Sequence, residues 1–459
     1  MTVQNKHPLY SQVIFKILEK SRFFINLHEG NQKMPLIEIA HANDFPLQDI
    51  TRAPVNHSLT RQVSDIISRV IESGDDALVD YTSQFDKVRI DTIRVPIEKL
   101  GEAEKNMPDA TRLIIEKALE NIRQFHRFQL SQSWEKTGDD GTILGELVRP
   151  LDRVGIYIPG GKAFYPSTLL MNAVPAQIAE VPSIVIASPP GRNGLPHTLV
   201  LAICSMLGLD EVLTMGGAQG IAALAYGTKS IAPVCKITGP GNRYVAEAKR
   251  QVFGRVGIDS VAGPSEILIL HDDPSVPIEF IARDLLTQAE HDEEARSILV
   301  TTLKQTALDV QKRIEELVPS VPRNEIIKKS LHDKGKIILV DTIDDGIQIV
   351  NTIAPEHLEL LVCDENILNR IRNAGAVFVG QWSTETVGDY FAGPNHTIPT
   401  GGAARYGSPL SVRDFQKHSS LIKYSKSRLF QEGELIARFA ELEDLHAHAA
   451  AVKERLKMG

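Results

Sequence analysis

The chain has 459 residues, 42% hydrophobic and 24% charged, the balance of an ordinary globular enzyme rather than a disordered or fibrous chain. That length is enough for about two to four domains. A formal net charge of −8 removes the basic footprint that nucleic acid or an anionic membrane surface selects.

Residues 1–33 contain an apolar patch, VIFKILEKSRFFINL, but charges interrupt it and no small-residue cleavage site follows. Met34 opens a second candidate start. Residues 1–57 are expected to form an N-terminal extension with a helical segment, without assigned function. Residues 58–85 read as two helices: Val63, Ile66, Ile67, Val70 and Ile71 keep one apolar stripe, and Gly74 is a natural stop. Residues 108–128 predict another helix with Ile114, Ala118, Ile122 and Phe125 on one face. GDDGT at 138–142 reads as a hairpin turn.

From 153 onward short β-rich runs alternate with helical stretches. The runs are VGIYI (154–158), SIVIAS (183–188), EVLTM (211–215) and CKIT (235–238), with helices expected near 168–180, 196–208, 217–227 and 241–254. The pattern resumes with EILIL (266–270), a helix over 277–296, SILVTT (297–302), KIILV (336–340), HLELLV (357–362) and AVFVG (376–380). Alternation of this kind predicts an α/β fold with two parallel, doubly wound sheets, and a helical tail over the last thirty residues. The longest uncharged runs, 163–179 and 212–228, carry polar residues and Pro or Gly, so neither reads as a membrane span. Cys204, Cys235 and Cys363 are far apart and beside apolar runs; buried structural thiols in a reducing cytoplasm are the expectation.

In open α/β sheets ligands bind beyond the carboxyl ends of strands. TGPGN (238–242) and GGAQG (216–220) place glycines there, where a missing Cβ lets a phosphate approach the backbone and a following helix offers free N–H groups. Tight turns without a ligand explain the same strings equally well, and the dinucleotide fingerprint GxGxxG is absent. In TQAEH (287–291), Gln288 and His291 share a helix face three residues apart, with Ile281, Leu285 and Ala289 anchoring a neighbouring stripe. They could ligate a metal or form a solvated polar face; Asp389 in VGDYFAGPNH and His448 in LHAHAA carry the same two readings. APEHLEL (354–360) sets Glu356 beside His357. These can be proton acceptors in one pocket only if the backbone is irregular there, and a surface pair otherwise.

Taken together, VGIYIPGGKAFYPSTLLMNAVPA, TMGGAQGIAALAYGT, ITGPGNRYVAEAK, AGPSEILIL, DLLTQAEHDEEA, APEHLEL, GDYFAGPNHTIPTGGAARYGSPLSVRDF and AHAAAV closely resemble the histidinol dehydrogenase family, from about residue 58 to 455. The resemblance implies two incomplete Rossmann-like domains with small helical N- and C-terminal extensions, in an intertwined homodimer. The corresponding boundaries are 58–156 plus 265–410 for the first α/β domain, 157–264 for the NAD-binding domain and 411–459 for a dimerisation tail. It implies two successive NAD-dependent oxidations of L-histidinol through the aldehyde to L-histidine, the last steps of histidine biosynthesis. By resemblance, Gln288, His291, Asp389 and His448 would hold one Zn2+ per subunit, and Tyr157, Gln219 and Asn242 would contact NAD. Ser265, His396 and Glu443 would contact substrate alongside His357 and the metal ligands. Glu356 and His357 would move protons, and the tail carrying Glu443 and His448 would reach the partner's site.

Residue chemistry agrees. Histidinol offers an imidazole and an amine to zinc, which acts as a template. His357 can take the alcohol proton as hydride leaves, and Glu356 can take a proton from the water that hydrates the aldehyde. Two other readings stay open at this point: a superfamily relative oxidising another alcohol such as a sulfonated diol, and a zinc hydrolase whose Glu356 activates water without NAD.

Overall fold

The computed structural model describes residues 35–44, 56–160 and 165–458. The extension expected over 1–33 lies outside the described residues. So do 45–55 and the tip 161–164 of the VGIYIPGGKAFYP string.

The first described element is a strand, β1 (Glu38–His41), within the 1–57 segment expected to be an extension with a helical segment. Helices α1 (His57–Ser73), α2 (Asp75–Phe85), α3 (Ile97–Lys105) and α4 (Asp109–Arg127) follow. Asn56 caps α1 by accepting from the Leu59 N–H, and Gly74 ends it at φ +55°. Val63, Ile66, Ile67 and Val70 are buried as their spacing requires, while Ile71 is half exposed. On α4 the buried stripe is Ile115, Ala118, Leu119 and Ile122; the expected Ile114 and Phe125 turn outward, since the stripe is centred one position over. GDDGT is the turn of a hairpin between β2 (Trp134–Thr137) and β3 (Ile143–Pro150).

The alternating region then gives β4 (Val154–Tyr157), α5 (Pro166–Ile178), β5 (Ile184–Ser188), α6 (Thr198–Met206), β6 (Glu211–Thr214), α7 (Gly217–Tyr226), β7 (Lys236–Thr238), α8 (Arg243–Val252) and β8 (Gly257–Ile258). These five strands form one parallel sheet in the order β6-β5-β4-β7-β8. A second alternation gives β9 (Glu266–His271), α9 (Ile278–Ala289), β10 (Arg296–Thr301), α10 (Lys304–Leu317), α11 (Asn324–Lys334), β11 (Lys336–Leu339), α12 (Ile343–Ile353), β12 (His357–Leu361), β13 (Ala376–Val379) and α13 (Glu385–Tyr390). With β1 at its edge, this makes a six-stranded parallel sheet in the order β1-β11-β10-β9-β12-β13. The chain ends with β14 (Gln416–Lys423), α14 (Lys426–Leu442) and α15 (His446–Leu456). β14 pairs antiparallel with β3 along its whole length, so the tail is not purely helical.

Successive strand residues face opposite ways, and the cores follow that alternation. Tyr157, Val185 and Leu213 face one core, shared with α1, α2, α7 and α8; Ile156, Ile186 and Val212 face another, shared with α3, α4, α5 and α6. Helices α1–α4 therefore cover the five-stranded sheet. This corrects the grouping of 58–156 with 265–410: a 3.6-residue period shows that a helix has an apolar stripe, not which sheet the stripe meets. Cys204 is buried as expected, but Cys235 and Cys363 are exposed, because each sits just beyond the apolar run beside it. No helix among the described residues is long and apolar enough to cross a membrane.

Both sheets reverse strand order once: between β4 and β7 in the small one, and between β9 and β12 in the large one. The loop after α13 ties them together. Asn395 Nδ2 donates to Met171 O at 2.5 Å, and the Gly401 N–H donates to Glu266 Oε1 at 3.0 Å.

Candidate active site

The sequence strings converge where the two bodies meet, at the amino ends of β9 and β12. Ala354 closes α12 in the left-handed region at φ +55°, and β12 begins only at His357. Glu356 thus belongs to the turn, and strand alternation does not send it away from its neighbour. His357 Nδ1 lies 3.8 Å from Glu356 Oε2. The backbone of Glu266, the first residue of β9, orients both. Its N–H donates to Glu356 Oε2 at 2.8 Å, and its carbonyl lies 3.2 Å from His357 Nδ1. Donation from Nδ1 to that carbonyl leaves Nε2 as the free acceptor.

Helix α9 ends at this point and delivers Gln288 and, one turn on, His291. One terminal atom of the Gln288 amide lies 2.6 and 2.8 Å from Glu385 Oε1 and Oε2 and the other 3.3 Å from the Glu266 nitrogen; a nitrogen in the first position donates to the acid, whereas an oxygen there would share a cation with it. Glu385 and Asp389 lie four residues apart on α13 and share its inner face. Donor atoms of His291, Glu385 and Asp389 all fall within 4.8 Å of one another. His396 sits behind Asp389, with Nδ1 3.1 Å from the Asp389 carbonyl and Nε2 3.3 Å from Thr168 Oγ1 in the first turn of α5. Ser265, immediately before β9, hydrogen-bonds to Glu356 through its side chain.

Burial holds every one of these groups toward its neutral form. It pushes Glu356 and Glu385 well above the usual carboxylate range, helped by repulsion from Glu266 and Asp389 on the former and from Asp389 and Glu356 on the latter. Asp389 rises to about 6 for the same reason. Burial lowers His357 to about 3 and His396 to about 4, and lowers His291 as well. Crowded, desolvated carboxylates beside neutral imidazoles are a donor set that a divalent cation would relieve, and mixed nitrogen and oxygen donors suit zinc.

The carboxyl ends of the five-stranded sheet carry the second group of residues, and α5, the helix that follows β4, reaches the first group through Thr168 and His396. Tyr157 closes β4, GGAQG follows β6 and TGPGN follows β7, all around the reversal between β4 and β7. The Tyr157 hydroxyl accepts from the Gly217 N–H at 3.1 Å, and burial raises its pKa to about 12, so it stays protonated. Gly239 has φ +108°, and a Cβ there would lie 2.1 Å from Tyr157 O. Asn242 caps α8, with Oδ1 accepting from the Tyr244 N–H at 3.0 Å and the Val245 N–H at 3.2 Å. Gln219 is buried with its Oε1 unpartnered among the described residues, an acceptor suited to a donor on a ligand. Beside these loops Pro159, Pro189, Leu195 and His197 line a cavity of about 210 Å³.

Comparison with known proteins agrees with this geometry. The family model for histidinol dehydrogenase matches residues 51–456. The chain belongs to the histidinol dehydrogenase family. The histidinol dehydrogenase of Geobacillus kaustophilus is 50% identical over 400 residues, covering 87% of this chain and 94% of its own. That of Bacillus subtilis is 48% identical over 396 residues, covering 86% and 92%. The crystal structure of histidinol dehydrogenase from Elizabethkingia anophelis superposes with a TM-score of 0.87 at 34% identity, covering 93% of this chain and 99% of that one. Members of this family are oxidoreductases, so the hydrolase reading falls away.

Of the residues singled out in the sequence, the structure gathers Ser265, Gln288, His291, Glu356, His357, Asp389 and His396 at the end of one sheet. It gathers Tyr157, Gln219 and Asn242 at the end of the other. Glu443 and His448 are not brought to either: both are exposed on the tail, where α14 and α15 pack on each other. The candidate residues lie at the carboxyl ends of the small sheet, where ligands are expected, but at the amino ends of the large one. At the carboxyl end of the large sheet's reversal the chain fills its own crevice: the Asp272 N–H donates to Leu361 O, and Asp272 Oδ1 accepts from the Cys363 N–H at 2.8 Å. Sequence reasoning missed Glu385 and Glu266. The four-residue spacing of Glu385 and Asp389 on a predicted helix carries the same signal that drew attention to Gln288 and His291.

Proposed function

We propose that this chain oxidises L-histidinol to L-histidine through the aldehyde in two successive NAD-dependent steps, with Zn2+ holding the substrate. The reading rests above all on one observation: His357 and Glu356 lie beside His291, Glu385 and Asp389, whose donor atoms fall within 4.8 Å of one another. Gln288, His291 and Asp389 would hold the zinc together with a His448 contributed by a second copy of the chain. The ion would supply an electrostatic anchor for the substrate's imidazole and amine.

His357 enters neutral, with Nε2 directed to accept the alcohol proton as hydride departs to NAD. The imidazolium so formed is flanked by Glu356 at 3.8 Å and Glu385 at 3.7 Å, acids that would stabilise its charge once a bound cation ionises them. Glu356 then takes a proton from the water that adds to the aldehyde. Its raised pKa makes its ionised form a stronger base for that step. Nucleotide binding falls to Gln219 and Asn242, with Tyr157 shaping the loop. Ser265, His396 and Glu443 complete the substrate's surroundings.

Exposure of Glu443 and His448 supports a homodimer in which each tail completes its neighbour's site. The apolar Leu435, Phe439 and Leu442, exposed along α14, support the same arrangement. Unpaired cysteines and the biosynthetic role favour the cytoplasm. The direct test is NADH counted against histidine formed from histidinol. Two per histidine is expected, whereas turnover without NAD, or of a sulfonated diol in preference to histidinol, would overturn the reading. The shared site has its own test: mixing inactive His357→Asn and His448→Ala dimers under exchange should restore activity, because one hybrid site is then whole. A mixture that stays dead would show each tail serving its own chain.

A further inference from the structure

Among the described residues, Lys249 is one of the largest fully buried side chains, and it takes no part in the chemistry described above. It lies on α8, two turns beyond the TGPGN loop. An ammonium is buried at heavy cost unless it is both paired and hydrogen-bonded. Lys249 is both: Nζ forms an ion pair with Asp259, itself buried, and donates to the Gly239 carbonyl at 3.0 Å. Asp259 returns to the same residue, its Oδ2 accepting from the Gly239 N–H at 2.8 Å, while Oδ1 accepts from the Ser260 N–H at 2.7 Å. Gly239 is thus gripped through both its backbone groups, one by each member of the pair.

The grip falls where the backbone needs it. Gly239 occupies a φ of +108° that the unfolded chain has no reason to prefer, pressed against the Tyr157 carbonyl. Its carbonyl is drawn inward to the ammonium, away from where a phosphate would lie. Among the described residues, the N–H groups of Gly241, Asn242 and Arg243 that follow have no acceptor in the protein. The two charges cancel, so the pair adds little field of its own at the loop; what it sets is the direction of the peptide groups.

We propose that Lys249 and Asp259 are positioning residues for the dinucleotide, a buried clamp that holds the Gly239–Asn242 loop in its ligand-accepting shape before NAD arrives. This rests on the NAD reading of that loop. A preformed loop spares the complex the cost of ordering it.

Amide hydrogen exchange in the unaltered dimer tests the clamp without any substitution. Gly239 N–H should already be protected without NAD, and NAD should change its exchange less than about tenfold. Fast exchange that slows sharply on NAD binding would overturn the proposal. The paired variant Lys249→Met with Asp259→Leu removes the clamp without leaving a lone buried charge. It should raise the KM for NAD roughly ten- to a hundredfold while kcat at saturating NAD and binding of histidinol stay near those of the unaltered enzyme. A folded variant with an unchanged KM for NAD would refute the clamp while leaving the cofactor reading intact. Failure of the unaltered protein to bind NAD at all would remove the cofactor reading and this inference with it.

Discussion

The two parallel sheets carry their candidate site residues at opposite ends, and the contrast explains how each is built. The five-stranded sheet offers carboxyl ends, where strands turn into helices and free N–H groups and glycine backbone suit a phosphate. The six-stranded sheet offers amino ends, where the first N–H of a strand has no partner in the ladder. There it can satisfy a buried carboxylate, as Glu266 N–H does for Glu356. In the proposed mechanism one end binds with backbone and the other reacts with side chains, which accounts for the acids crowding only the second.

That division predicts separable defects. The largest is expected from His357→Asn, which should slow oxidation of histidinol about 10²- to 10⁴-fold while sparing oxidation of the added aldehyde. Equal losses in the two half-reactions would show that His357 is not the base for alkoxide formation alone. Glu356→Gln should do the reverse, lowering aldehyde oxidation roughly 10²-fold; an unchanged aldehyde rate would remove the water-activating role. On the other wall, Gly239→Ala should weaken NAD binding by at least about tenfold through backbone strain, with histidinol binding intact by calorimetry. Parallel loss of both ligands would mean the two walls do not act separately. The smallest effect is electrostatic. With Asp389 at about 6, its carboxyl is ionised above that pH and must shed a proton to bind metal below it. Zinc affinity from chelator competition should therefore level off above pH 6 and fall roughly tenfold per unit beneath it. His291, already neutral, should add no further break.

Much of this was legible in the sequence, and the failures share a cause. Short β-rich runs located every strand of the two parallel sheets except the edge strands β1 and β8, because a strand buried on both faces leaves a continuous apolar string. The Gln288–His291 spacing and the Glu356–His357 pair pointed to residues that the fold brings together. The pair looked incompatible with a strand, and the resolution is the left-handed Ala354, a residue type that gives no warning of positive φ. The partner of α1–α4, the exposure of Cys235 and Cys363, and the end of the large sheet that carries the site all depend on contacts between segments far apart in the chain. Local periodicity says nothing about these. The Lys249–Asp259 pair, ten residues apart, looks like any helix-surface lysine and loop aspartate until the fold buries both.

The central claim is that substrate held at one sheet passes hydride directly to a nicotinamide held at the other. Histidinol carrying two deuterium atoms on its carbinol carbon tests it in one measurement, the isotopic content of the NADH produced. Direct transfer predicts one deuterium in each of the two NADH molecules formed per histidine. Solvent hydrogen in that position, in either step, would contradict the account.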